Sequence, residues 1–169
     1  MYFLRLKRHL EKVLTRKNIL TNELQKLVKR NIEEVKFTYN EVYYLDCEVD
    51  ENTGFINKNK QVEHYTKEQV TRNMKAQKSA YLIAKGAVNP IEIVSFRKKY
   101  DIAASVLSLI LGFSKNTISN IENEGVTSLP SGRFIKVCIN NKILLSEYVK
   151  TCSNIEVQKK NEILERLTS

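Results

Sequence analysis

The stretch from 104 to 121, ASVLSLILGFSKNTISNI, decides the fold of the second half of the chain. Its spacing is that of a helix-turn-helix, in which two short helices cross sharply and the first carries a small residue at the crossing point. Ser108 provides that residue, and Gly112 provides a turn residue that reaches positive φ without a Cβ penalty. Ile118 provides the branched apolar side chain that faces back into the first helix. These three residues are the predicted structural core of the motif.

The outer face of the predicted second helix, residues 115–123, is polar. After an expected N-cap at Ser114 it presents Lys115, Asn116, Thr117, Ser119, Asn120 and Asn123. All of these side chains can hydrogen-bond to phosphates or base edges. The structural alternative is an αα-hairpin within a helical bundle, but such a hairpin has no reason to keep one face free of apolar and acidic residues. The pattern therefore favours a DNA-binding helix-turn-helix.

Length and charge narrow the classes of protein further. A chain of 169 residues accommodates one medium domain or two small ones. A formal net charge of +9 suits a polyanionic partner, most commonly nucleic acid, although charge alone does not separate DNA from RNA or from an acidic protein. Cys47, Cys138 and Cys152 are far apart and form no CxxC pair, which argues against a zinc site or a disulfide framework and fits a reducing cytoplasm.

Neither a membrane segment nor an active site is indicated. The first 14 residues, MYFLRLKRHLEKVL, mix Lys and Arg with apolar residues, and no later stretch is long and apolar enough to span a bilayer. His9 and His64 are isolated from any nucleophile or carboxylate pair, and no Gly-rich phosphate loop is present. We therefore expect a cytoplasmic protein that is not an enzyme and has no catalytic residue, cofactor, metal site or membrane partner.

The first third of the chain has mixed signals. Residues 2–36 carry Leu and Val at helical spacing and predict two helices, with a bend near Asn18 and a cap at Thr21. We expect Leu10, Leu24, Leu27 and Val28 to be buried. The many Lys and Arg residues of this segment are either the solvated face of a helical hairpin, which we prefer, or a second electrostatic footprint for DNA or a partner.

A β element follows. Phe37, Tyr39, Tyr43, Leu45, Cys47 and Val49 alternate with mostly polar neighbours and predict a strand. Residues 50–54 predict a turn, Phe55 and Ile56 open a return strand, and residues 57–61 predict a polar loop. We expect a small antiparallel hairpin or meander that needs helices packed on it.

From Thr66 onwards the patterns are helical. A helix over 66–85 has Val70, Met74, Gln77, Tyr81 and Leu82 on its expected inner side. Gly86 ends it, and Asn89-Pro90 begins the next helix.

The predicted domains are residues 1–86, a helical and β-hairpin module for partner or dimer packing, and residues 87–169, the DNA-binding domain. Helices at 91–100, 103–111, 115–123, 131–140 and 144–152 make a five-helix domain, and 156–168 makes an exposed or dimer-packing helix. The expected fold is mainly α with a small antiparallel β element.

Residues 92–125, EIVSFRKKYDIAASVLSLILGFSKNTISNIENEG, resemble the lambda-repressor-like helix-turn-helix superfamily. Within it they are similar to the carboxy-terminal domain of MqsA (YgiT-type) antitoxins and to related regions of Panacea-type antitoxins. The matching positions are Phe96 to Tyr100, Leu107-Ser108, Leu111 to Phe113, Thr117-Ile118 and Glu122. The resemblance implies a salt bridge between Arg97 and Glu122 that orients helices without reading bases.

The chain departs from this family at two places. Family members usually open the second helix with Ser-Gln, whose side chains touch the DNA backbone and a base edge, whereas this chain has Ala103-Ala104. MqsA-type proteins also carry a zinc-binding amino-terminal domain with two CxxC pairs, which this chain lacks. No metal is therefore carried over.

Together these observations predict a dimeric, sequence-specific DNA-binding repressor that acts on its own operator or as the antitoxin of a cognate toxin. Asn116 and Asn120 are the expected base readers, because asparagine bonds the adenine edge in a bidentate way. The expected phosphate contacts are Ser114, Lys115, Lys98, Lys99 and Arg133. The alternative is a protein-interaction module whose helix-turn-helix no longer binds DNA, which Ala103-Ala104 favours.

Overall fold

A computed structural model describes residues 11–168 and shows a mixed α/β chain. In this part there are five strands and seven helices, so the expectation of a mainly α protein is corrected. The strands are β1 Lys12–Leu14, β2 Leu20–Asn22, β3 Leu24–Ile32, β4 Val35–Val49 and β5 Ile56–His64. The helices are α1 Lys67–Ala84, α2 Pro90–Tyr100, α3 Ala104–Ile110, α4 Thr117–Glu124, α5 Leu129–Asn140, α6 Lys142–Thr151 and α7 Val157–Thr168.

These elements form two compact units. Of the described residues, 11–28 and 39–74 belong to the first unit, and 29–38 and 75–168 belong to the second. The tip of the β3–β4 hairpin and the later part of α1 are thus grouped with helices α2–α7. The assignment of different roles to residues 1–86 and 87–169 stays a prediction.

Residues 12–32 form three strands, with a turn between the first two, so the prediction of two helices is wrong where the structure describes it. β1 and β2 pair antiparallel with Leu14 opposite Leu20, around a turn in which Asn18 has a φ of 57°. The helix prediction relied on the spacing of apolar residues alone. It gave no weight to β-branched residues such as Val13 and Thr21, which favour strands. The part of the prediction on residues 2–10, including Leu10, lies outside the described residues.

β3, β4 and β5 form a three-stranded sheet in that order, as a meander. Glu33 and Glu34, with φ of 48° and 66°, make the two-residue turn between β3 and β4, because both central residues of a type I′ turn have positive φ. In β3, Leu24 and Val28 are half-buried, but Leu27 is 63% exposed. The predicted burial of Leu27 is therefore wrong, since strand alternation turns it away from its neighbours.

β4 does not keep one alternation along its length. Phe37 and Tyr39 are buried, and the buried set then changes parity to Val42 and Tyr44. The predicted odd-numbered face is consequently wrong beyond Tyr39. The sequence does not reveal this change from odd to even buried positions, because both sets of positions carry apolar residues in this part of β4.

The turn predicted at residues 50–54 is present. The Asp50 carboxylate accepts the backbone amides of Asn52 and Thr53 at 2.9 and 3.0 Å. The polar loop predicted at 57–61 is instead part of β5, where Asn57 pairs with Glu48 and Gln61 with Cys47. Three residues bulge between those pairs, which explains the turn-like composition.

Helix α1 packs on the first unit through polar side chains. The Asn73 amide donates to the Val42 carbonyl and accepts from its backbone N–H, both at 2.8 Å. Gln69 is buried and donates to the buried Glu23 at 3.1 Å, and Arg72 forms an ion pair with the same carboxylate.

The predicted inner side of α1 is wrong in its first half, because Val70 and Met74 are exposed. The helix turns hydrogen-bonding residues inward there, which an apolar stripe does not reveal. Further along, Leu82 is buried as predicted.

The second unit has a continuous apolar core. The fully buried members include Ile93, Leu107, Ile118, Ile135, Leu145 and Ile163. α2 starts as predicted at Asn89-Pro90, where Asn89 and Glu92 form a capping box.

The last helix also belongs to this core. Ile163 and Leu167 of α7 are buried in it, and α7 packs on α6 and α2. The expected five-helix domain, followed by an exposed or dimer-packing helix, is therefore corrected, since α7 adds a sixth helix packed into the core of the same chain. Within residues 11–168, no helix combines the length and apolar character needed to cross a membrane.

A glycine inside α5 marks a point of tight packing in the second unit. A Cβ at Gly132 would lie 2.6 Å from the Ala87 Cβ and 2.9 Å from a Val126 methyl group. Gly132→Ala gains about 1 kcal/mol of helix propensity, but overpacking costs about 1–3 kcal/mol. We predict net destabilisation of up to about 2 kcal/mol, measured by urea denaturation. Val137→Ala, on the exposed face of the same helix, is the control and should change stability by less than about 0.5 kcal/mol.

Candidate nucleic-acid interface

The turn between α3 and α4 has the geometry that the sequence predicted. Gly112 has a φ of 76°. The Phe113 amide donates to the Ser108 carbonyl at 2.9 Å, and the Gly112 amide donates to the Leu109 carbonyl at 3.1 Å. These two bonds form a Schellman motif, which closes the end of α3. No atom lies within 4 Å of the position that a Gly112 Cβ would occupy. The glycine is therefore required by its positive φ and not by a lack of space for a side chain.

Ser108 joins the two helices through its hydroxyl. The side chain is fully buried, and its Oγ donates to the Ala104 carbonyl at 2.9 Å and accepts from the Ile118 amide at 3.0 Å. The first amides of a helix have no partner within the helix, so Ser108 satisfies one of them for α4. The sequence identified the small size of Ser108 but missed this hydrogen bond.

The predicted N-cap at Ser114 is wrong. α4 begins at Thr117, and the Ser114 hydroxyl lies 2.8 Å from the Thr117 hydroxyl, with no backbone amide as partner. Asn116 occupies the N-cap position and makes no side-chain capping bond. The Ser108 hydroxyl instead accepts an amide of the first turn of α4, because Ser108 is buried beneath that turn.

Both acidic residues of α4 have basic partners. Arg97 donates to the two Glu122 carboxylate oxygens at 2.6 and 2.8 Å, and also to the Ile102 carbonyl at 3.0 Å. Glu124 lies 2.7 Å from the Lys75 ammonium group. The Arg97–Glu122 pair ties α2 to α4 in the arrangement that the resemblance implied. Its charges compensate each other near the end of α4, away from the acid-free start.

The outer face of α4 is accessible. Lys115, Asn116, Asn120 and Asn123 are exposed, as is Ser114, whereas Thr117 and Ser119 are half-buried. Ser119 donates its hydroxyl to the Asn116 carbonyl at 3.0 Å, so its donor is already used. Within residues 11–168, the side-chain amides of Asn116 and Asn120 have no hydrogen-bond partner. These two amides therefore retain their full donor and acceptor capacity for an external ligand.

Two of the nominated phosphate ligands lie at the end of α2. Lys98 and Lys99 are exposed in its last turn, and the Lys99 ammonium lies 5.3 Å from the centre of the Tyr100 ring. The Lys142 ammonium lies 5.2 Å from the same ring, so the start of α6 adds a third lysine. Burial raises the pKa of the Tyr100 phenol, but the two lysines outweigh it and lower that pKa. Only tertiary packing brings Lys142 here, so no sequence spacing signals it.

Arg133 has a different environment from the one expected. Its guanidinium donates to the Lys85 carbonyl, with the shorter contact at 2.8 Å. It therefore satisfies a carbonyl at the carboxy-terminal end of α1, next to the Gly86 turn. The side chain is exposed, but part of its donor capacity serves the fold.

The start of α3 lacks the polar side chains that its position favours. Ala103 is the N-cap residue and makes no side-chain hydrogen bond, whereas Ser, Thr, Asp or Asn at this position would accept one. Ala103 is exposed and Ala104 is half-buried. The start of α3 thus presents methyl groups in place of polar side chains.

Most of the net positive charge lies in one unit. In the second unit, residues 29–38 and 75–168 contain 17 Lys and Arg against 10 Asp and Glu, a net charge of +7. In the first unit, residues 1–28 and 39–74 contain 11 Lys and Arg against 9 Asp and Glu, a net charge of +2. The excess of basic residues therefore accompanies the α3–α4 motif.

Among residues 11–168, no three His, Cys, Asp or Glu side chains cluster as metal ligands would. No family model matches the chain, and no curated protein or solved structure is significantly similar to it. The resemblance of residues 92–125 to the MqsA-type antitoxins stays a prediction.

The Ser108 hydroxyl can be tested by deletion. Ser108→Ala leaves the buried Ile118 amide without an acceptor, which costs about 1–3 kcal/mol. We expect the free energy of unfolding to fall by that amount in urea titrations. Ser105→Ala, on the same helix, removes a hydroxyl that makes no hydrogen bond within residues 11–168, and it should remain within about 0.5 kcal/mol of wild type. Equal effects of the two substitutions would contradict the assigned role.

Proposed function

We propose that the chain is a sequence-specific, double-stranded-DNA-binding transcriptional regulator of the cytoplasm, built on a lambda-repressor-like helix-turn-helix. The observation that carries the proposal is the start of α4. There a polar, acid-free, solvent-facing surface is attached to a rigid helix pair by the Gly112 turn and the Ser108 hydrogen bonds. A buried helix of a bundle would present apolar side chains at those positions.

The proposed mode of binding follows from the side chains available. α4 enters the major groove amino end first, and Asn116 and Asn120 bond the edges of adenines. Lys98, Lys99 and Lys115 contact phosphates, with Ser114 and the exposed part of Arg133 beside them. Thr117, Ser119 and Asn123 complete the face toward the groove. The net charge of +7 in the second unit favours association with any DNA, and α4 adds the sequence preference.

The biological role that fits best is autorepression as a homodimer on the operator of its own gene. Two copies would place two α4 helices about one helical turn of DNA apart. The resemblance to MqsA-type antitoxins extends the proposal to a toxin–antitoxin pair. A neighbouring gene whose expression arrests growth, and whose product is neutralised by this chain, would support that extension. Growth unaffected by the neighbouring gene would remove it.

The proposal predicts the effect of removing each base reader. Asn116→Ala and Asn120→Ala should each weaken specific binding by about 1–3 kcal/mol and relax the preference at one base pair. The measurement is fluorescence anisotropy with DNA from upstream of the gene, beside random DNA of equal length. Asn161→Ala, an exposed asparagine of α7, is the control and should bind like wild type. Wild-type affinities for both DNAs in both variants would contradict the assignment of α4.

A second candidate function is a protein-interaction module with a degenerate helix-turn-helix. The observation in its favour is Ala103, which leaves the N-cap of α3 without a side-chain acceptor and removes a polar group from the edge of the interface. If this candidate is right, wild-type protein prefers its upstream DNA no more than random DNA.

Ala103→Ser probes the same position in the opposite direction. A serine N-cap should stabilise α3, raising the free energy of unfolding by about 0.5–2 kcal/mol, and should tighten DNA binding by restoring a phosphate donor. Ala103→Gly is the control, since it gives the cap conformation without a hydroxyl. Added stability without tighter binding would place Ala103 outside the DNA contact.

A further inference from the structure

The β3–β4 hairpin carries a cavity of about 490 Å³ near its turn, in the part of the hairpin that belongs to the second unit. Among residues 11–168, the lining comes from both strands and contains three basic residues and no acidic one. The lining residues are Lys29, Arg30, Asn31, Lys36, Phe37 and Thr38. All of them except Phe37 are exposed, and we call these five exposed residues the hairpin surface.

The two-residue turn between β3 and β4 decides which of these residues share a face. It pairs the residues on either side of it, so Asn31 lies opposite Lys36. Two residues further along each strand, Lys29 lies opposite Thr38. Opposed residues, and residues two apart on one strand, lie on the same face of a sheet. One face of the hairpin therefore presents two ammonium groups, an amide and a hydroxyl, all of which donate hydrogen bonds to phosphate oxygens.

The hairpin is attached to α1 by other residues. The Phe37 ring packs edge-on against the Tyr81 ring with the ring centres 5.7 Å apart, and the Tyr81 hydroxyl donates to the Glu33 carboxylate at 2.8 Å. The Lys85 ammonium lies 3.3 Å from the same hydroxyl and 5.2 Å from the centre of the ring. The attachment therefore uses neither lysine of the hairpin surface, and it binds one of the two acids of the turn close to a cation.

Further basic residues surround this attachment. Lys78, three residues before Tyr81, and Lys85, four residues after it, lie on the same side of α1 as Tyr81. The Arg133 guanidinium of α5 donates to the Lys85 carbonyl at 2.8 Å. The turn of the hairpin contributes a second acid, the exposed Glu34. The basic groups of β3, β4, α1 and α5 named here therefore outnumber the two acids of the turn.

Helix α1 also connects the hairpin to the recognition helix of the proposed function. The Ser79 hydroxyl accepts the Val126 amide just beyond the end of α4, and Tyr81 follows Ser79 by two residues. Two residues apart on a helix point to nearly opposite sides, and a helix with its side chains is about 10–12 Å across. The hairpin and the end of α4 are thus about one helix diameter apart, a spacing comparable with the width of the major groove, about 12 Å.

We propose that the hairpin surface is a second DNA-binding site, which contacts the phosphates of the duplex whose bases α4 reads. The inference rests on the proposed function and adds affinity to it without base preference, because phosphate contacts carry no sequence information. Lys29, Arg30 and Lys36 neutralise phosphates. Charge complementarity identifies the occupant, since an acid-free basic lining on a unit of net charge +7 attracts a polyanion.

The salt dependence of binding tests the two lysines of the hairpin surface. The double variant Lys29→Gln with Lys36→Gln should weaken binding to upstream and random duplex DNA equally in fluorescence anisotropy. The slope of the logarithm of the binding constant against the logarithm of the salt concentration should fall in magnitude by about 2, because each phosphate contact contributes about 0.9. The preference for upstream over random DNA should not change.

A matched control removes the same charge elsewhere. Lys58→Gln with Lys67→Gln neutralises two exposed lysines of the first unit and should leave the slope at its wild-type value. Circular dichroism and urea denaturation verify that both double variants fold like wild type.

The acid of the turn gives a test of opposite sign. Glu34→Gln removes a negative charge beside the proposed phosphate contacts and should tighten binding to both DNAs about twofold to fivefold at low salt. Glu51→Gln, an exposed acid of the β4–β5 turn in the first unit, is its control and should bind like wild type. Unchanged or weaker binding by Glu34→Gln would place the turn away from the DNA and contradict the inference.

Two results with the lysine double variant would overturn the inference. One is a wild-type affinity and salt slope with both DNAs. The other is a loss of binding confined to single-stranded RNA of equal length, which would make RNA the ligand of the hairpin. A failure of the proposed function is distinguishable, because it shows as a wild-type chain without preference for its upstream DNA, whereas the hairpin contact is measured on random DNA alone.

Discussion

The hydrogen bond from the Ile118 amide to the Ser108 hydroxyl holds the candidate interface in place. The same oxygen donates to the Ala104 carbonyl, so one buried atom is shared by the backbone of α3 and the first turn of α4. An apolar residue of similar size would fill the space but leave a buried amide unsatisfied, at a cost of about 1–3 kcal/mol. The crossing of the two helices is therefore specified by a polar contact inside an apolar core, and the direction of α4 follows from it.

The far end of α4 is held in the same way. Gly125, with a φ of 96°, ends the helix, and a Cβ there would lie 2.6 Å from the Ser79 Cβ. This close approach allows the Ser79 hydroxyl to accept the Val126 amide at 2.9 Å. Buried serine hydroxyls thus satisfy a backbone amide at each end of the helix. Neither of these contacts uses the side-chain amides of Asn116 and Asn120 on the outer face of α4, which leaves both amides available for a ligand.

The sequence predicted the second unit better than the first for a physical reason. The turn at Gly112, the start of α2 at Asn89-Pro90 and the order of α2–α6 follow from local signals, namely a residue that needs positive φ, a cap and an apolar period. In residues 12–32 the same Leu spacing fitted a helix and a strand, and hairpin pairing between strands adjacent in the chain decided between them. Strand formation depends on such cross-strand packing, which the spacing of apolar residues does not report.

Within helices that were predicted correctly, the wrong predictions of buried faces, caps and side-chain partners have one cause. α1 was predicted as a helix, but its buried face in the first unit is made of Gln69 and Asn73, which bury because Glu23 and the Val42 backbone satisfy them. The cap of α4 came from Ser108 in another helix, and the partner of Arg133 is the end of α1. Apolar periodicity reports which residues avoid water. It does not report which polar residues find a partner in the folded chain.

The division of charge gives the two units different physical capacities. The second unit combines a net charge of +7 with a helix whose outer face is polar, and such a charge attracts a polyanion but opposes self-association. The first unit is nearly neutral and concentrates exposed apolar residues, an arrangement that favours protein contacts. A helix of eight residues contacts only a few base pairs, and each mismatched pair costs about 1–3 kcal/mol. One such helix discriminates weakly against the many competing sites of a genome, whereas two joined copies add their preferences. If the proposed function holds, a short recognition helix therefore becomes sufficient for a specific regulator only when two copies of the chain act together.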